Sequence, residues 1–74
     1  MNKARRKEIA RAVALIAEAC EILECARGEE QEALDNLPEG LQGSDQGGQM
    51  EDAIGALETA IESLETAESE LGDL

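Results

Sequence analysis

Ala53-Ile54-Gly55-Ala56-Leu57-Glu58-Thr59 is followed directly by Ala60-Ile61-Glu62-Ser63-Leu64-Glu65-Thr66, the same seven-residue pattern written twice. Apolar residues spaced alternately three and four apart fall on one side of an α-helix and on alternating sides of a strand, so the repeat reads as helix. Met50 and Leu71 extend the stripe in both directions, giving a seam of Met50, Ile54, Leu57, Ile61, Leu64 and Leu71. A small residue, Ala53, Ala60 or Ala67, stands beside the seam once per heptad. The register predicts a helix over about 45–72 that packs along its length against another helix.

The same rhythm runs through the first half of the chain. Ile9, Val13, Ile16, Cys20 and Leu23 form a 4-3 stripe, and the register continues through Arg27 and Glu30 to Leu34 and Leu37. Ala12, Ala19, Ala26 and Ala33 sit where the second segment has its own alanines. Leu15 and Ile22 add apolar surface on a second flank and leave Glu18, Glu21, Glu24 and Cys25 as a polar stripe. A helix over about 3–35 with two apolar flanks is expected to be covered on more than one side. Between the helices, residues 36–44 hold Pro38, Gly40 and Gly43, which end a helix and favour a turn. Ser44 or Asp45 suits the cap position of the second helix, although Gly47 and Gly48 weaken a first helical turn and favour a start nearer Met50. Leu37 and Leu41 are expected to plug the turn. The predicted fold is all-α: one domain, 1–74, built as an antiparallel two-helix hairpin of coiled-coil type.

Composition sharpens this. The 74 residues contain no Phe, Tyr, Trp or His, and 42% are apolar. Two helices of this size bury too little area to offset chain entropy, so a homo-oligomeric bundle, a dimer or larger, is expected, with Ile9, Val13, Ile16, Cys20, Leu23, Ile54, Leu57, Ile61 and Leu64 as its seam. The net charge is −12, but it is polarised. Residues 1–11 carry five basic side chains against Glu8 alone, whereas residues 12–74 carry seventeen acidic ones against Arg27. A field of that sign over most of the surface repels nucleic acid and anionic membrane and attracts basic partners. No apolar run approaches the length of a membrane span, and Arg11, Glu18 and Glu21 interrupt any signal-like core. A cytoplasmic setting is expected, with Cys20 and Cys25 as reduced thiols that point apart on one helix.

The residues offer no catalytic constellation, no cofactor motif and no metal-ligand spacing. The absence of His and the acidic neighbours of Cys25 argue against nucleophilic catalysis, so a non-enzymatic binding protein is expected. Three binding readings stay open. The cluster Arg5, Arg6, Lys7 and Arg11 suits a phosphate-bearing ligand, or simply neutralises the acidic end of the second helix. Arg27, with Asn36, Gln42, Gly43, Ser44, Gln46, Gly47 and Gly48, suits recognition by a long polar turn beside the positive end of a helix. Arg27 and Glu30 also form either a polar layer in the seam or a solvated stretch near the turn. Finally, the acids Glu62, Glu65, Glu68 and Glu70 either imitate a phosphate backbone or form a solvated face.

Asp35-Asn36-Leu37-Pro38-Glu39, with Leu41, Gln42 and Ser44 and the Leu-Glu-Thr-Ala repeats beyond, resembles a group of small uncharacterised acidic helical proteins encoded in phages and prophages. The likeness spans the last two thirds of the chain, and its specific element is that turn. No activity attaches to the group. What the resemblance implies is a viral source and a setting in the cytoplasm of a bacterial host. By analogy it also implies an accessory role, such as blocking host anti-phage defence by occluding a host protein or capturing a phosphate-bearing signal. A purely structural or assembly role is the alternative.

Overall fold

A computed structural model describes all of residues 1–74 and is helical throughout, with no strand. Helix α1 spans Lys3–Asp35, α2 is a single turn at Glu39–Gln42, and α3 spans Asp45–Gly72. At 1.5 Å per residue α1 is about 50 Å long, close to the whole molecule's 58 Å, and the other two dimensions are 14 and 13 Å. The body is therefore two helices side by side. They run in opposite directions, since Ile9 and Val13 near the start of α1 share a groove with Leu71 and Leu74 at the chain end.

Each long helix starts on a side-chain cap. Asn2 accepts the backbone N–H of Arg5 at 2.9 Å, and Ser44 accepts that of Gly47 at 3.5 Å. Both fill one of the donors a helix start leaves unpaired. At the other end of α1 the Asn36 N–H donates to the Glu32 carbonyl at 3.0 Å, and Pro38 follows with an extended ψ of 144° before the backbone turns again into α2.

The connection differs from the expected turn in two respects. It is a compact helical turn, and none of its glycines has a positive φ, Gly43 lying at −89°. The left-handed freedom of Gly40 and Gly43 is thus unused. α3 begins at Asp45, where the expected 45–72 span begins, and Gly47 and Gly48 do not shift its start toward Met50. The reason is Gly47, which is buried, and a Cβ placed there would lie 2.1 Å from the Gln42 carbonyl oxygen. The glycine that seemed to weaken the first turn lets α3 close onto the end of α2.

The core is thin. Cys20, Ile54 and Ile61 are buried, and Ile9, Val13, Ile16, Leu23, Leu57 and Leu64 are half-buried around them. All nine seam residues therefore face the other helix of the same chain. Ala19, Ala26 and Ala33 of α1 and Ala53, Ala60 and Ala67 of α3 are half-buried along the margin, whereas Ala12 is exposed. Leu37 is half-buried, but Leu41 is 43% exposed and does not plug the turn. Leu15 and Ile22 stand in solvent at 54% and 62% exposure. One flank of α1 is covered by α3, and the second flank is open.

Candidate functional site

The turn is a long stretch of polar residues, and two of them, Gln42 and Ser44, spend their side chains on the fold. Gln42 donates from Nε2 to the Leu37 carbonyl at 3.1 Å, and the Ser44 hydroxyl bonds the Leu41 carbonyl. Ser44 also takes two of the first-turn amides of α3, that of Gly47 on Oγ and that of Gly48 on its carbonyl, the latter at 2.9 Å. Gly47 is packed against the Gln42 carbonyl. Asp45 occupies the first turn of α3, so the positive end of that helix already faces a carboxylate of its own. Asn36, Gly43 and Gln46 stay exposed.

Arg27 does not join this group. It is exposed and lies eight residues before the end of α1, about 12 Å along the helix axis, whereas an arginine side chain reaches roughly 7 Å. Glu30 next to it is half-buried. The pair therefore does not form a buried polar layer, and Arg27 does not reach the turn. Without a cation or a set of free amides at one place, the turn has no cradle for a phosphate.

The basic cluster is exposed along the first three turns of α1. Arg6 lines an open groove of about 340 Å³ at the end where the chain termini meet, with Met1, Ile9, Val13, Leu71 and Leu74 as the apolar wall. Arg11 lines a shallower depression with Glu8, Ala12 and Leu15. The terminal groove was not apparent from the heptads. Its only signal in the sequence is that Met1 and Leu74 are large apolar residues outside both seams.

Among the acids, Glu62, Glu65 and Glu70 are exposed and Glu68 is half-buried. No group of three or more Cys, Asp or Glu side chains is placed to share a metal ion. Cys25 is exposed and Cys20 is buried in the seam. Burial, followed by the negative fields of Glu68, Glu65 and Glu24, pushes the Cys20 thiol above its ordinary range. A thiol held protonated is a poor nucleophile. No helix is long and apolar enough to cross a membrane.

No known protein family, curated protein or solved structure matches this chain. The surface itself is thus the main guide to function. Its most conspicuous feature is the open flank of α1, where two large aliphatic side chains project from an otherwise alanine-lined strip.

Proposed function

We propose that the chain is a non-enzymatic phage-type binding protein that works as a self-associated helical bundle and acts by occluding a basic surface on a host protein. The observation that carries this is the amount of surface left uncovered. A folded chain of 7.9 kDa has an expected accessible area of about 4,400 Å², whereas this one exposes 5505 Å². The surplus of about 1,100 Å² exceeds the roughly 800 Å² per partner of a standard interface. A body so incompletely buried gains its stability from a partner, in the way small helical scaffolds do.

The nature of the target is set by charge. Residues 12–74 carry a net −16, spread over exposed carboxylates on both helices, and such a surface is drawn to basic ones. Capture of a phosphate-bearing signal has less support, because Arg27 stands apart from the turn and Ser44 takes the α3 amides. The setting in a bacterial host and an anti-defence role rest on the turn's resemblance to phage-encoded proteins. Two measurements test the reading. Light scattering at micromolar concentration should give a mass of at least twice 7.9 kDa. Expression in a defended bacterial host should restore phage growth, and a tagged copy should retain a basic host protein in low salt and release it in high salt. A monomer by scattering removes the bundle, and unchanged phage growth removes the defence role.

A further inference from the structure

Leu15 and Ile22 stand one heptad apart on a single stripe of α1, and Glu8 and Glu29 continue that stripe at either end. At 100° per residue the stripe lies about a third of a turn from the seam that faces α3, with Ala12, Ala19 and Ala26 in between. Two exposed aliphatic side chains beside a row of methyl groups make a continuous apolar strip and not a scatter of single residues.

The strip extends onto α3. Paired helices that run in opposite directions bring their equivalent margins to the same side, so Ala60 and Ala67 flank Ala19 and Ala26 there. All four are half-buried, and none carries more than a methyl group. The result is a furrow with a low alanine floor and one raised wall, made by Leu15 and Ile22. From Ala12 to Ala26 it runs for about 21 Å, roughly four helical turns.

We propose that this furrow docks one amphipathic α-helix of the target protein, its apolar face on the alanines and against Leu15 and Ile22, its flanks rich in Lys and Arg. This names the site and the recognised element of the occlusion reading above and rests on that reading. Shape argues for a helix. A floor of small residues leaves room for incoming Leu or Ile side chains, large against small, and a helix seats in such a groove through apolar residues at helical spacing. Charge argues for a basic one. No basic residue lies between Ala12 and Ala26 or anywhere in α3, and the strip ends on exposed acids, Glu8 and Glu29. Basic flanks therefore gain attraction along the whole furrow. A second copy fits less well. A two-fold axis near Ala19 would set Leu15 against Ile22 of the other copy, wall against wall. It would also lay one α3, whose charges are all acidic, on another.

Peptide binding tests this on the intact protein. The probe is a fluorescein-labelled peptide of about 18 residues with Leu at helical spacing and Lys elsewhere. Its control has the same residues in scrambled order, so the charge is kept and the apolar face is lost. In anisotropy titrations at low salt, the amphipathic peptide should bind on the order of tenfold more tightly than the scrambled one. Leu15→Ser with Ile22→Ser should remove that difference and leave helicity by circular dichroism unchanged, since both positions are exposed. Glu21→Gln with Glu58→Gln, exposed and away from the furrow, should weaken both peptides alike. Equal affinity for the two peptides would overturn the furrow, as would undiminished preference in the Leu15, Ile22 variant. Either result would leave the attraction of the acidic surface for basic partners standing, whereas binding of neither peptide would remove both. If the Leu15, Ile22 variant halves the mass by light scattering with no peptide present, the face belongs to a second copy and the proposal is likewise overturned.

Discussion

The two ends of this molecule are built on opposite plans. At the turn end the chain closes tightly: Gly47 sits against the Gln42 carbonyl, Ser44 takes two amides, and Gln42 reaches back to Leu37. At the other end an open groove is walled by Met1, Ile9, Val13, Leu71 and Leu74. The tight end is closed by backbone and side-chain hydrogen bonds, and the loose end presents apolar side chains around an open groove. Polar residues in a long connection look like a recognition loop in the sequence, yet here Gln42 and Ser44 hold the connection together. The surfaces free to meet a partner are the apolar ones and the acidic ones.

Adjacent glycines give the sharpest way to break this contrast. Gly47→Ala should destabilise the fold by about 3 kcal/mol or more, because the new methyl meets backbone that no rotamer change can move aside. Gly48→Ala, one residue along, meets nothing within 4 Å and should stabilise by about 0.5–1 kcal/mol through helix propensity. Urea denaturation at matched protein concentration measures both. If the two substitutions behave alike, the turn end is not closed as described.

Ile61→Ala should cost about 2–3 kcal/mol, toward the low end for a buried isoleucine because a two-helix seam can partly collapse onto the gap. Val13→Ala at the open end should cost about 1 kcal/mol, since that side chain is only half-buried beside the groove. A Val13 effect as large as that of Ile61 would mean that the terminal groove is filled in solution.

Much of this architecture was legible from the spacing of a few residues. The 4-3 recurrence of Ile54, Leu57, Ile61 and Leu64 is a geometric property of helices, and the structure places all four against α1. The helical start at Asp45 was legible from the cap residues Ser44 and Asp45, but the role of Gly47 in it was not. Propensity counts against Gly47, and the close approach that makes a glycine necessary there involves Gln42, whose position depends on α2. The grouping of Arg27 with the turn rested on nearness in sequence, but a helix converts eight residues into a separation longer than the side chain. Leu15 and Ile22 were visible as a second apolar flank, and their exposure is clear only once α3 is seen to cover the first.

The helix caps give a smaller effect of the same kind. Ser44→Ala should destabilise by about 1 kcal/mol and Asn2→Ala by about 0.5 kcal/mol. Ser44 supports both α3 and the closure onto α2, whereas Asn2 caps a helix end beside the open groove, where fraying disrupts little else. Thermal denaturation of the two variants side by side resolves the order, and a reversed order would contradict the contrast between the ends.

The smallest expected effect belongs to the two thiols, which sit midway between the ends. Cys20 is buried, and its thiol is held above the ordinary range by burial first and then by the fields of Glu68, Glu65 and Glu24. The folded state therefore keeps the Cys20 proton at a pH where the unfolded chain has begun to lose it, near about 8.5. Stability from this source is fully present below that pH and is lost as pH rises through the higher folded-state value, so the unfolding midpoint should fall on the alkaline side. Cys20→Ala should flatten that decline while leaving the behaviour between about pH 6 and 8 unchanged. Alkylation at about pH 8 followed by mass spectrometry gives the complementary reading. Exposed Cys25 should be labelled first, and Cys20 only as the helices separate, so its labelling rate should rise with added denaturant in step with loss of helicity. Equal labelling of both cysteines in the absence of denaturant would show that the middle of the seam opens as readily as its loose end.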